Sequence, residues 1–175
     1  MPTEEELEQL VNRALDGGVS AQKIKQLAEE ASGVEPSDEL LGLYKAYCKE
    51  LSQYDDTEYP EGQDERVYNE YRTNPDVTTV AITNGQMKIG FLMLAKTAKA
   101  GECIICEAYI LPAFRNQGRM KQVLEKALKP YNSIRFVVFN DNPAKAFWEK
   151  VLQELGRIKI GSAPYERQFT EYLYW

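Results

Sequence analysis

The stretch from residue 77 to residue 111 constrains the fold more than any other part of this sequence. It contains three strand-like apolar runs, VTTVAIT, MKIGFLMLAKT and ECIICEAYIL. Asn84-Gly85 separates the first two runs, and this dipeptide is a strong signal for a tight hairpin turn. The stretch therefore predicts an antiparallel hairpin followed by a third strand, and the rest of the chain has to pack against them.

The residues that follow alternate between helical and strand patterns. GRMKQVLEKAL places Met120, Leu124 and Leu128 on one helical face, and SIRFVVF is typical of a buried strand. Asn142 with Pro143 favours the start of a second helix. RIKIG and ERQFTEYLYW predict a final antiparallel pair. This order predicts a mixed α/β (α+β) fold, with one mixed sheet and helices on both faces.

Four helical patterns precede the sheet, and two of them lie within residues 1–33. The third turns one set of residues inward: Leu40, Leu41, Tyr44, Tyr47 and Leu51. The fourth is short, carries Val67 and Tyr71, and ends at Asn74-Pro75. An acidic loop, SQYDDTEYPEG, joins the third and fourth helices and suits a cationic partner or a solvated surface equally well.

The composition excludes several classes of catalytic site. The chain has no histidine, so Ser/His and Cys/His arrangements are excluded. Cys103 and Cys106 form a C-x-x-C, but positions three apart on a strand face opposite sides of the sheet. With Cys48 as the third cysteine, we expect core packing at these positions and neither a metal site nor redox chemistry.

The charge distribution indicates the kind of partner. The net charge of −6 argues against nucleic acid. Residues 1–76 hold 19 acidic and 7 basic residues, whereas residues 77–175 hold 8 acidic and 14 basic ones. The second half is therefore the half expected to meet an anion. No apolar run is long enough to span a membrane and no secretory signal is visible, so we expect a cytoplasmic protein.

The loop after the third strand is a candidate anion site. It reads Arg115-Asn116-Gln117-Gly118-Arg119 and leads directly into a helix. A helix N-terminus offers unpaired N–H groups and the positive end of the helix dipole, and glycine lets the backbone approach a ligand. The alternative is an ordinary solvated turn. Lys121 adds a further positive charge in the first turn.

Two motifs resemble those of the GNAT family, the GCN5-related N-acyltransferases. The run EAYILPAFRNQG, with Arg115-Asn116-Gln117-Gly118-Arg119-Met120, is similar to the family's Arg/Gln-x-x-Gly-x-Gly/Ala signature at the start of a helix. DNPAKAFW is similar to its Asn-x-x-Ala-x-x-Phe-Tyr element. The resemblance covers residues 77–160, extends to 34–76, and does not reach 1–33. It implies a GNAT-like three-layer domain over 34–175, with residues 1–33 as an N-terminal helical extension.

The resemblance implies acetyl-CoA as acyl donor and an amine as acceptor, and many members of the family are homodimers. Loop amides would hold the CoA pyrophosphate, and the third strand would pair with the pantetheine arm beside a splay between the third strand and SIRFVVF. The implied CoA-binding residues are Tyr109, Ile110, Leu111, Arg115, Asn116, Gln117, Gly118, Arg119, Met120, Lys121, Asp141, Asn142, Ala144, Phe147 and Trp148.

Three positions depart from the family pattern. Met120 stands where the family prefers glycine or alanine, and Asp141 replaces asparagine. Trp148 replaces the tyrosine that protonates the departing thiolate in many members, and an indole N–H is no useful acid. The function could therefore be an active N-acetyltransferase for a small cationic amine or a protein amine. The alternatives are a catalytically weak CoA-binding protein and a protein-interaction module on the same fold.

Candidate catalytic residues follow from what acyl transfer to an amine requires. The amine must be neutral to attack, and Glu107 on the cleft strand is the first candidate for the base, with Glu102 weaker. Glu107 could equally be an outward-facing carboxylate. A backbone N–H near Ile110 would stabilise the oxyanion. The candidate acids are Tyr109, Tyr165 and Tyr172.

Overall fold

The computed structural model describes residues 38–166 and 168–175. The helical extension predicted over residues 1–33 lies outside the described residues. The elements in chain order are α1 (Glu39–Leu51), α2 (Gln63–Thr73), β1 (Val77–Asn84), β2 (Met87–Lys96), β3 (Glu102–Ile110), a 3-10 turn (Pro112–Phe114), α3 (Arg119–Ala127), β4 (Ser133–Phe139), α4 (Ala144–Glu154), β5 (Lys159–Tyr165) and β6 (Phe169–Tyr174).

The described strands form one mixed sheet in the order β1-β2-β3-β4-β6-β5. β3 and β4 are parallel, and every other neighbouring pair is antiparallel. The predicted hairpin is confirmed, but Asn84 pairs with Met87, so Gly85 and Gln86 form the loop. Gly85 has φ 61°, a conformation that glycine adopts without a steric cost.

The two faces of the sheet carry separate cores because successive strand residues point to opposite sides. On β2, Phe91 and Met93 pack with residues of α1 and α2, whereas Leu92 and Leu94 pack with residues of α3 and α4. The mixed fold with helices on both faces is therefore confirmed. No helix within residues 38–166 and 168–175 combines the length and the apolar character needed to cross a membrane.

The C-x-x-C cysteines lie on opposite faces, as the alternation predicted. Cys103 is fully buried in the core beside α3 and α4, and Cys106 packs against the core beside α1 and α2. Burial raises the pKa of the Cys106 thiol to about 11, so this thiol is a poor source of thiolate near neutral pH.

Strand β3 contains a bulge that determines which face its second half presents. Met93 on β2 pairs with Glu107 and Leu94 pairs with Ile105, so Cys106 is the extra residue. Before the bulge, Cys103 and Ile105 belong to the α3/α4 core. After it, Tyr109 belongs to the α1/α2 core. The bulge therefore moves Glu107 and Tyr109 to the α1/α2 face, because one inserted residue inverts the alternation.

Candidate active site

The sheet opens between β3 and β4. Their parallel pairing ends at Ile105 and Phe136, although β3 continues to Ile110 and β4 to Phe139. The Leu111 N–H donates to Ile89 O on β2 at 2.8 Å. Because amides alternate in direction along a strand, the Ile110 N–H points away from β2 and into this gap. The structure thus has the predicted splay and a backbone donor beside it.

The loop after β3 ends in a helix N-terminus with exposed backbone. Asn116 (φ 61°) and Gly118 (φ 71°) are both left-handed, and a Cβ at Gly118 would meet no atom within 4 Å. The first helical bond of α3 runs from the Gln122 N–H to Gly118 O, at 3.1 Å. The amides of Arg119, Met120 and Lys121 therefore have no acceptor inside the helix and are suited to binding an anion.

The basic side chains of the loop are engaged by other parts of the protein. Arg115 donates from Nε to Ile110 O (2.8 Å) and from both terminal nitrogens to the Glu50 carboxylate (2.9 and 2.7 Å). Arg119 donates to Asn84 Oδ1 at 2.9 Å. Lys121 pairs with Glu154 at 3.0 Å. These hydrogen bonds and ion pairs hold the loop in place. An anion would therefore be bound mainly by backbone amides.

Glu107 is held by two tyrosine hydroxyls. Tyr47 of α1 donates to Glu107 Oε2 at 2.5 Å, and Tyr71 of α2 donates to Oε1 at 3.2 Å. Burial raises the pKa of Glu107 to about 7, and the tyrosine hydrogen bonds oppose that rise because they favour the charged form. A carboxyl with this pKa takes up and releases a proton near neutral pH, as a general base must.

Aromatic rings hold Tyr47 in place beside Glu107. The Tyr47 ring lies 5.7 Å from the Phe91 ring, edge to face, and 5.7 Å from the Tyr109 ring. Burial and the nearby Glu107 charge raise the pKa values of Tyr47 and Tyr71. Both phenols therefore stay protonated and act as donors. Tyr109 belongs to this cluster, and its ring also stacks beneath the Arg115 guanidinium at 5.3 Å.

The other predicted acids and the second carboxylate lie elsewhere. Tyr165 is 45% exposed on β5, and strands β6 and β4 separate it from β3. Tyr172 is buried in the core on the opposite face of the sheet. Burial would raise the pKa of Glu102, but hydrogen bonds from Arg135 and Thr97 hold it below its ordinary value. Glu102 is therefore an ion-paired carboxylate at the closed end of β3.

The second motif lies at the start of α4, after β4. Asn142 Oδ1 accepts a hydrogen bond from the Ala144 N–H at 2.9 Å, so Asn142 binds a helical N–H as predicted, but α4 begins at Ala144 and Pro143 precedes its first residue. The neighbouring Asp141 is exposed. Trp148 packs against Phe136 of β4 at 5.5 Å, and Phe147, 43% exposed, lies edge-on to Trp148 at 5.3 Å. Met120 is buried in the α3/α4 core, as its helical position predicted.

Sequence reasoning missed Tyr47 and Tyr71 as members of the site. It placed Tyr47 on the inward face of α1 and Tyr71 on α2, but treated both as packing residues. A usable signal was present, because a tyrosine hydroxyl turned inward needs a hydrogen-bond partner.

The described residues bring together no group of three or more His, Cys, Asp or Glu side chains that could hold a metal ion.

Comparisons with known proteins identify the family and the fold. The model of the acetyltransferase (GNAT) family matches residues 40–152. No curated protein matches the chain significantly. Among solved structures, an acetyltransferase from Thermus thermophilus is 20% identical, with a TM-score of 0.59 over 77% of this chain and 86% of that one.

Two further structures share the fold. A spermidine N-acetyltransferase chimera from Vibrio cholerae and hSSAT is 18% identical (TM-score 0.57; 79% of this chain, 92% of that one). An aminoglycoside 6'-N-acetyltransferase complexed with coenzyme A is 15% identical (TM-score 0.52; 78% and 87%). Since the family model spans more than half of the sequence, the chain belongs to the GNAT family of acetyltransferases.

Proposed function

We propose that this protein transfers an acetyl group from acetyl-CoA directly to a primary amine. The observation that carries the proposal is the position of Glu107. It is a partly buried carboxylate with a pKa of about 7, on β3 where that strand has separated from β4. Acyl transfer to an amine needs no protein nucleophile, because the amine itself attacks, but it needs a base that makes the amine neutral.

The donor would bind along the open side of β3 and across the N-terminus of α3. The amides of Gln117, Gly118, Arg119, Met120 and Lys121 would receive the pyrophosphate. Tyr109, Ile110 and Leu111 would pair with the pantetheine arm. The segment from Asp141 to Trp148, which leads into α4 and includes its first turn, would close the other side of the splay. The open space at Gly118 and the unpaired helical amides support this assignment.

The protein groups then have distinct roles in the transfer. Glu107 accepts a proton from the acceptor ammonium, and the neutral amine forms the new C–N bond at the thioester carbonyl. The Ile110 N–H donates to the oxyanion that develops there. The C–S bond then breaks, and the second proton lost by the nitrogen passes through Tyr109 or water to the thiolate, which has a pKa of about 8.5 if it resembles a cysteine thiol. Tyr165 lies too far across the sheet for this role.

The acceptor that suits the site is a cationic amine, small or on a protein. The loop between α1 and α2 carries exposed carboxylates at Asp56, Glu58 and Glu61. These charges lie on the segment that joins the two helices bearing Tyr47 and Tyr71, so they would attract a cation to the site. Spermidine and aminoglycosides, named in two of the structural neighbours, are cationic amines of this class.

One observation favours a catalytically weak CoA-binding or protein-interaction module as the second candidate. Trp148 is packed against Phe136, at the position where many family members have a tyrosine that donates a proton. Its indole N–H cannot act as a useful acid. An enzyme with this arrangement would release the thiolate with help from solvent or Tyr109.

Titration calorimetry with acetyl-CoA and with free CoA is the first test. One site per chain with micromolar affinity, followed by turnover with at least one amine from a panel of polyamines, aminoglycosides and lysine peptides, is the result we expect. Binding without turnover would select the second candidate as a CoA-binding module. Absence of binding to either compound would contradict the donor site and leave the interaction module.

A further inference from the structure

The Glu107 carboxylate is surrounded by neutral groups. Within residues 38–166 and 168–175, the titratable groups that face it are Tyr44, Tyr47 and Cys48 of α1, Tyr71 of α2 and Cys106 of β3. The residue paired with Glu107 on β2 is Met93, which is fully buried. None of these six residues carries a positive charge. Hydrogen bonds are therefore the interactions through which these neighbours favour the ionised carboxylate over the neutral acid.

The two hydroxyl donors come from different helices and bind different oxygens. Tyr47 of α1 binds Oε2 and Tyr71 of α2 binds Oε1, so the plane of the carboxylate is fixed from two sides. The Tyr47 ring is itself held by Phe91 and Tyr109. Hydrogen bonds to an ionised group are stronger than those between neutral groups, so both donors stabilise the carboxylate form selectively.

We propose that Tyr47 and Tyr71 are positioning residues whose hydroxyls orient the Glu107 carboxylate and favour its ionised form near neutral pH. The inference rests on the proposed function in one respect, which is that the carboxylate accepts a proton from the acceptor amine. The phenols remain protonated throughout, because burial raises their own pKa values. The net event is the movement of one proton from the acceptor ammonium nitrogen to a carboxylate oxygen, with both tyrosines unchanged.

A direct titration of Glu107 tests the inference without any activity. The carboxyl carbons of the glutamates are labelled with 13C and followed by NMR against pH, and the Glu107→Gln variant assigns the signal. We expect Tyr47→Phe and Tyr71→Phe each to raise the apparent pKa of Glu107 by about one pH unit, a tenfold change in its acid dissociation constant. The double variant should raise it further.

Tyr68→Phe is the matched control. Tyr68 belongs to the same aromatic cluster and is buried, but its hydroxyl accepts a hydrogen bond from Arg72. We expect the Glu107 titration to be unchanged in this variant. Each substitution keeps the aromatic ring, and thermal unfolding of every variant shows whether its fold is retained.

The pH profile of kcat/KM provides the second readout. Removing either hydroxyl should move the acid limb to higher pH by the amount seen in the titration, with the rate close to wild type at about pH 9, where the carboxyl is ionised in every variant. General damage to the site would lower the rate equally at all pH values and leave the Glu107 titration unchanged, and that combination would contradict the inference.

The two readouts separate the possible failures. An unchanged Glu107 titration in both Tyr47→Phe and Tyr71→Phe overturns the inference, whatever the rates are. A titration that moves as expected while the rate profile stays in place supports the inference about the carboxylate. That second outcome contradicts the assignment of Glu107 as the base in the proposed function.

Discussion

Among single residues, Glu107 is the one whose burial lowers stability and which we propose as the catalytic base. Burial raises the pKa of its carboxyl to about 7 from an ordinary 4.5, so the native chain binds more protons than the unfolded chain between these values. The free energy of unfolding therefore falls as the pH rises through this window. A difference of this size corresponds to about 3 kcal/mol once the carboxyl is fully ionised.

The first prediction concerns Glu107→Gln. The neutral amide removes the cost of burying a charge, so the variant should be more stable than the wild type at pH 8 by up to about 3 kcal/mol, and the difference should shrink towards pH 5. Urea unfolding at the two pH values measures it. The same variant should lose a factor of about 10² to 10⁴ in kcat/KM. A less stable variant at pH 8 would mean that the buried Glu107 charge does not destabilise the fold.

A second residue-level prediction concerns Trp148→Tyr. Tyrosine is smaller than tryptophan but keeps an aromatic ring against Phe136. We therefore expect the fold to be retained, with a free energy of unfolding lower by about 1 kcal/mol or less. Turnover should stay equal or rise, because a phenol can protonate a thiolate and an indole cannot. Steady-state kinetics with saturating acetyl-CoA measures it. Lost turnover in a folded variant would show that the indole has a role of its own.

Among the elements, the bulge in β3 and the loop before α3 determine the site. Two consecutive residues, Cys106 and Glu107, oppose Met93, and this inserted residue is what turns Glu107 towards Tyr47 and Tyr71. The bulge could not be predicted from the sequence, because ECIICEAYIL has no Gly or Pro and suits a regular strand equally well. Tertiary packing against two helices selects it. The loop was easier to predict, since Gly118 before a helix is a local signal.

Gly118→Glu tests the loop. The change puts a negative charge and a side chain into the open space beside the α3 amides, so acetyl-CoA affinity should fall by at least a hundredfold, measured by calorimetry. Gly62→Glu is the matched control. Gly62 precedes α2 with φ 77° and equally open space, so it carries the same backbone strain and charge without touching the proposed donor site. Equal affinity in the two variants would contradict the donor site.

On the scale of the whole molecule, the local patterns predicted the fold well and the long-range contacts poorly. Met120, placed by the apolar pattern of its helix, lies in the core as predicted. Asn142, placed by its position before a helix, binds a helical N–H as predicted. Arg115 was predicted to meet an anion, but it binds Glu50, which lies 65 positions earlier in the chain. Pairings of this kind depend on which helix crosses which strand, and no local pattern encodes that. The Tyr47–Glu107 contact spans 60 positions and escaped prediction for the same reason.

The charge distribution of the whole chain leads to the last prediction. Residues 1–76 carry a net charge of −12 and residues 77–175 carry +6, so the proposed cationic acceptor and anionic donor would be attracted to different halves of the sequence. Attraction between exposed charges is screened by salt, with a Debye length of about 10 Å at 0.1 M and about 3 Å at 1 M. The KM of a multiply charged polyamine should therefore rise by about tenfold between low salt and about 0.5 M salt, whereas that of a singly charged amine should rise much less. Steady-state kinetics at fixed pH compares the two amines, and acetyl-CoA is kept saturating at each salt concentration.

Reversing two charges of the α1–α2 loop, with Asp56→Lys and Glu58→Lys, should reduce the salt dependence for the polyamine. If both amines respond to salt alike, or if the loop variant behaves as the wild type does, then the acidic loop is a solvated surface and the acceptor is recognised only at Glu107.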